Sequence, residues 1–207
     1  MQSKNQKLFA VILAGGRGSR MENLNKPLVK LSNTPLIEWS LQRIQHAVSQ
    51  VVLSVNHNQD DYRYLNLPLI ADAENNYQGP LIGIHSAMRW ILEDQATKLP
   101  DALLCVPGDV PFFPEKLIPQ LWQEFVTNHC EVVYCECDNQ VQPLFSIWSL
   151  SCVDLIEEAI GDGLYGPKLV MPRLNSQLIK VQRDSDLDFF NINDEESLET
   201  VQKMINS

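Results

Sequence analysis

What this chain has little of narrows its class. No apolar run approaches the roughly eighteen residues that cross a bilayer, and the polar start, Met1 to Lys7, leads into an apolar segment without a signal-peptide cleavage pattern. A cytoplasmic protein that does not engage membranes is expected. Basic residues are scarce: 16 Lys and Arg stand against 26 Asp and Glu, a net charge of −10. General nucleic-acid or anionic-lipid binding needs the opposite surplus, so any phosphate-bearing ligand must be held by a local cluster. The cysteines, Cys105, Cys130, Cys135, Cys137 and Cys152, are odd in number and sit mostly in apolar contexts, which suits reduced, packed thiols better than disulfides. Cys135 and Cys137 would share a strand face, but no second pair or nearby His completes a metal set. No Pro/Gly/Ser-rich linker, internal repeat or low-complexity tract appears, so a single domain over residues 1–207 is expected.

What is present is concentrated in one stretch, Phe9-Ala10-Val11-Ile12-Leu13-Ala14-Gly15-Gly16-Arg17-Gly18-Ser19-Arg20-Met21, with Lys26-Pro27-Leu28 following. An apolar run too short for a helix ends in three closely spaced glycines, as a buried strand does when it delivers its C-terminus into a tight loop. Glycines allow successive backbone N–H groups to converge on an anion. Arg17, Arg20 and Lys26 add cationic side chains, so phosphate is the expected guest. A dinucleotide fingerprint would need a glycine at Met21, and a P-loop would need Gly-Lys-Ser/Thr; neither pattern is here.

Further along, the apolar periodicity predicts a strand over 7–13, a short extended piece over 26–31, a turn at Asn33-Thr34 with Pro35 as first helical residue, and a helix through Ile37, Leu41, Ile44 and Val48. Strands are predicted at 51–56 and 69–72, a loop with Gly79 and Gly83 entering a helix over 81–94, and a strand from Leu103 ending in Pro107-Gly108-Asp109-Val110-Pro111. Pro114 is read as opening a helix to about Asn128. Strand–helix alternation to this point implies parallel pairing with right-handed crossovers. Ligands then gather at the strands' carboxyl ends, where Gly15, Asn56, Asp72 and Asp109 all fall. A hairpin follows, 131–137 and 142–149 about Asp138-Asn139, with an antiparallel strand. Helices at 152–160 and 164–173, a strand at 178–181, a last strand Phe189–Asn193 with its two amides on one face, and a helix capped by Asp194-Glu195-Glu196 complete the reading. Asp109, a carboxylate between turn residues at a strand tip, is read as a ligand for Mg²⁺, which takes one or two carboxylates together with phosphate oxygens and water. His46, His57, His85 and His129 are scattered and read as structural.

Leu13-Ala14-Gly15-Gly16-x-Gly18-x-Arg20-Met21 followed by Lys26 resembles the nucleotidyltransferase superfamily, and more narrowly the molybdenum cofactor guanylyltransferase family. Leucine-alanine-glycine-glycine, rather than leucine-alanine-alanine-glycine, and Asn191-x-Asn193, rather than Asp-x-Asp, favour the guanylyl over the sister cytidylyl enzymes. The resemblance implies an α/β fold, a single Rossmann-like three-layer domain like the nucleotide-diphosphate-sugar transferases, with a mostly parallel twisted sheet and an antiparallel strand. It implies that Leu13, Ala14, Gly15, Gly16 and Lys26 bind GTP, that Asp72 with Gly79-Pro80-Leu81-x-Gly83 borders the nucleotide, that Asp109 binds Mg²⁺, and that Asn191 and Asn193 close the site on the acceptor side. Arg20, Lys26 and Asp109 are then the catalytic group, Asn56 a nucleotide contact, and Asp72 the carboxylate that meets guanine's two donors. Ser54 stands where the family often has asparagine, Gln142-Pro143 where it has His-Pro, and Asp194-Glu195 where it has Thr-Pro. The implied reaction is GMP transfer from GTP to molybdenum-molybdopterin, with molybdenum-insertion proteins or molybdoenzyme chaperones as partners. Another nucleotidyltransferase of this fold, acting on a sugar phosphate or transferring CMP to the same cofactor, or a non-catalytic GTP-binding module, are the competing readings.

Overall fold

A computed structural model describes residues 5–15, 25–71, 79–93 and 99–205. Seven strands form one twisted sheet in the order β5-β4-β1-β6-β8-β7-β9. These are β1 (Asn5–Leu13), β4 (Val48–Ser54), β5 (Leu69–Ile70), β6 (Ala102–Pro107), β7 (Val132–Cys137), β8 (Gln140–Ser149) and β9 (Ser176–Lys180). The pairs β1–β4, β1–β6 and β4–β5 are parallel, and β8 enters antiparallel against both β6 and β7. The fold is therefore the expected single α/β domain with a mostly parallel sheet and an antiparallel strand. A two-stranded ribbon, β2 (Lys30–Leu31) with β3 (Thr34–Pro35), lies apart from it.

Alternation along β1 divides the interior. Leu8, Ala10 and Ile12 pack with Ile37 and Ile44 of α1 (Leu36–Ile44) and Leu117 and Leu121 of α3 (Leu117–Asn128). Phe9 and Val11 face the other way, onto Ile84 and Met88 of α2 (Pro80–Glu93) and Ile156 of α4 (Val153–Gly161). Helices on both faces make three layers. A smaller third cluster, Leu31, Leu36, Phe112, Ile192 and Val201, joins the ribbon to the terminal helix α6 (Glu195–Ile205).

Several expected boundaries move. Pro35 is not helical: it pairs with Lys30 in the ribbon, because Ser32 and Asn33 take left-handed conformations that close a tight hairpin. Val48 starts β4 rather than ending α1, so the helix is shorter than its apolar spacing implies. Pro114 begins a turn, accepting from the Leu117 amide at 3.0 Å, and α3 starts only at Leu117. The helix expected over 164–173 is a single short turn, α5 (Pro167–Val170), followed by a 3-10 turn (Met171–Arg173) in which Pro172 stops propagation. Phe189–Asn193 is irregular rather than a strand: Phe189 has φ +60° and donates to the Phe112 carbonyl at 2.9 Å, so the chain bends where a sheet pairing would continue. The Asp138-Asn139 hairpin is as expected, both residues taking positive φ. All five cysteines are free and buried, and the described residues hold no cluster of three metal-ligating side chains. Among the described residues, no helix is long and apolar enough to cross a membrane.

Candidate active site

The carboxyl ends of β1, β4 and β6 are locked together by backbone hydrogen bonds. Leu13 pairs in register with both Ser54 and Pro107. The Ala14 amide donates to the Ser54 carbonyl and the Gly108 amide to the Leu13 carbonyl, each at 2.9 Å. This brings Gly15 and Asp109 to one edge of the sheet, although they are far apart in the chain. A Cβ on Gly108 would lie 3.1 Å from the Leu13 oxygen and one on Gly15 3.0 Å from the Asn56 amide nitrogen, so both loops pack tightly here.

Asn25-Lys26-Pro27-Leu28 closes the same edge. The Tyr62 hydroxyl, fully buried, donates to Asn25 Oδ1 at 2.6 Å and fixes the start of a 3-10 turn (Lys26–Leu28). Burial pushes the Tyr62 phenol up, which keeps it a neutral donor. Lys26 Nζ then donates to Asn193 Oδ1 at 2.8 Å, and the Ile192 amide approaches the Asp109 carbonyl at 3.4 Å. Three distant segments thus meet, with Lys26, Asp109 and Asn193 at the junction. Asp109 is half-buried; desolvation raises its carboxyl above the ordinary range and the Lys26 charge opposes that rise.

Of the residues singled out in the sequence, Leu13, Ala14, Gly15, Lys26, Asn56, Asp109 and Asn193 gather at this edge. Gly83 lies just behind it, its missing Cβ leaving room for Ser54 Oγ, which would be 2.7 Å away, and for Leu13. Ser54 is buried behind Gly83, whereas Asn56 is half-buried beside Gly15. Gly79 touches the backbone of Tyr165, which also accepts from the Leu81 amide at 3.1 Å, so the chain itself takes up the first donors of α2. Asn191 is exposed and does not share Asn193's position, because the segment is not extended. Gly16, Arg20 and Asp72 lie outside the described residues.

Sequence reasoning missed the supports. Tyr62 and Asn25 carried no motif. The aromatic trio Phe113, Phe145 and Phe189, with centroids 5.1 Å apart at each contact, could not be assembled from periodicity. The pairing of β7 with β8 shifts register around Pro143, which lacks a ladder N–H, and Phe145 is buried on the same face as Ile147. One signal was available: Ser197 three residues after Asp194 is a helix-start spacing.

The parallel sheet carries Gly15, Lys26 and the lone Asp109 carboxylate at its strand ends, and similarity to known proteins makes the chain an α/β nucleotidyltransferase. Solved structures with this fold include molybdopterin-guanine dinucleotide biosynthesis protein A from Archaeoglobus fulgidus, at 24% identity, TM-score 0.73 and coverage of 96% of this chain and 98% of that one. Another is 4-diphosphocytidyl-2C-methyl-D-erythritol synthase from Anaerococcus prevotii, at 10% identity, TM-score 0.70 and coverage of 98% and 97%. The chain belongs to the MobA-like NTP transferase domain family, whose model matches residues 10–177. It is 31% identical over 186 residues, 90% of each chain, to a molybdenum cofactor guanylyltransferase from Yersinia pestis.

Proposed function

We propose that this enzyme transfers GMP from GTP to molybdenum-molybdopterin, releasing pyrophosphate. The observation that carries the reading is the junction at the sheet edge, where the Lys26 ammonium bonds to Asn193 2.8 Å away and acts on the half-buried Asp109. Gly15 and its loop grip the triphosphate with backbone amides, and Lys26 stabilises charge that builds on departing pyrophosphate. Asp109 supplies a hard carboxylate oxygen, half-buried at a strand tip, and one such carboxylate fits Mg²⁺ because phosphate oxygens and water would complete its shell. When bound, that ion polarises the α-phosphate. Asn193 faces the acceptor side and Asn56 borders the nucleotide beside Gly15, with the reading of guanine assigned to Asp72. A terminal phosphate oxygen of the acceptor forms a bond to the α-phosphorus as the α–β bridge breaks. That phosphate is already largely ionised at neutral pH, so no protein nucleophile or general base is needed. Sequence identity to the Yersinia enzyme favours this acceptor over a sugar phosphate.

The test is incubation with each of the four nucleoside triphosphates, Mg²⁺ and molybdenum-loaded pterin. Pyrophosphate release confined to GTP is expected; none, or equal turnover with CTP, defeats the reading.

A further inference from the structure

Asn193 is held from behind by Ser197. The Ser197 hydroxyl accepts from the backbone amides of Asn193 and Asp194, both at 3.0 Å, and donates to the Asp194 carbonyl at 2.8 Å. The Ser197 amide in turn donates to Asp194 Oδ1 at 2.8 Å. All the bonding capacity of one hydroxyl is therefore spent on the two residues that lead into α6. On the other side, Ile192 is buried in the third cluster, so the backbone carrying Asn193 is fixed at both ends.

The consequence reaches Lys26. Its ammonium has three donors, one of which goes to the neutral oxygen of Asn193. The charge is then left for a ligand. Asp109 is the competing partner: the Ile192 amide, next to Asn193, meets its carbonyl at 3.4 Å, and the Lys26 charge acts on its carboxylate. If Asn193 shifted, the ammonium would turn to Asp109, and an ion pair would neutralise both groups that the proposed reaction needs.

We propose that Ser197 is a positioning residue: its hydroxyl holds Asn193 so that Lys26 bonds to an amide rather than to Asp109. This rests on the reading above for its catalytic consequence, but not for its structural one. Ser197 lies beyond residues 10–177, the part matched by the family model.

The test compares full-length wild type, Ser197→Ala, Ser197→Thr and the double variant Ser197→Ala/Asp109→Asn. An amine-reactive reagent is applied to each without nucleotide, and labelling at Lys26 is quantified by mass spectrometry against exposed Lys30 in the same molecule. Labelling at Lys26 is expected to fall in Ser197→Ala, as a side chain drawn onto the Asp109 carboxylate presents its nitrogen to the reagent less often, to recover in Ser197→Thr, and to rise in the double variant. In parallel, kcat for pyrophosphate release is expected to drop about tenfold in Ser197→Ala, with melting temperature lowered by no more than about 4 °C and with recovery in Ser197→Thr. Unchanged or increased labelling in Ser197→Ala overturns the inference. An inactive wild type that shows the expected labelling pattern instead removes the guanylyltransferase reading and leaves the positioning role standing.

Discussion

Gly79 shows how a residue marked for ligand contact can be required by the chain itself. A Cβ there would lie 2.4 Å from the Tyr165 carbonyl oxygen, a backbone atom that cannot swing aside. Gly79→Ala is therefore expected to cost about 2 kcal/mol by overpacking and to lower the melting temperature by about 4–8 °C, measured by calorimetry without nucleotide. An unchanged melting curve with weakened GTP binding would instead make the glycine a ligand contact. Gly15 differs, because its nearest neighbour is the amide of Asn56, a side chain at the same strand edge. The glycines, Lys26 and Asp109 could be chosen from sequence because their chemistry is written in residue type and local spacing. Tyr62, which fixes Asn25, could not: a buried tyrosine reads as core until its hydroxyl's partner, 37 positions away, is known.

Between elements, buried runs made the parallel half legible, since residues 8–13 of β1, 51–53 of β4 and 102–107 of β6 are apolar on both faces. The segments that failed, Thr34-Pro35 and Phe189–Asn193, take their form from tertiary contacts: a tight turn at Ser32-Asn33 and a bond to Phe112. The contact of α2 with α4 holds a feature that periodicity also hid. His85 Nε2 is shut from solvent and makes no hydrogen bond among the described residues; the nearest acid, Glu157, is 3.8 Å away. Arg89 bonds to both Asp154 and Glu157 and adds its own positive charge beside the ring. Burial pushes the His85 pKa below its ordinary value, Glu157 opposes that shift, and Arg89 reinforces it. The fold thus prefers neutral His85. That preference stabilises the protein fully above the unfolded pKa of about 6.5 and is lost as pH falls through the lower folded value. Between about pH 7.5 and pH 5.5, wild type is expected to lose more melting temperature than His85→Leu. Parallel losses in the two proteins would show that another group sets the acid limit.

Over the whole molecule, stability is divided unequally, and the site straddles the division. Two large clusters hold the sheet between its helices, while the third contains, among the described residues, only Leu31, Leu36, Phe112, Ile192 and Val201 as buried members. Among the residues of α6, Val201 is buried and Leu198 and Ile205 are partly buried against the third cluster, while the Asp194–Ser197 cap and the paired bonds between Ser32 and Gln202 at 2.7 and 2.8 Å hold its exposed side. With so little apolar contact, α6 is expected to open as a unit before the sheet does. Hydrogen exchange read by mass spectrometry is expected to show residues 189–205 exchanging well ahead of 7–13 in β1. Because Asn193 meets Lys26 only while α6 is docked, a ligand that engages Lys26 must favour the docked state, and saturating GTP with Mg²⁺ is expected to slow exchange in 189–205 without altering β1. If both segments exchange together, with and without nucleotide, the terminal helix is part of the main cooperative unit and does not act as a separable clamp on the site.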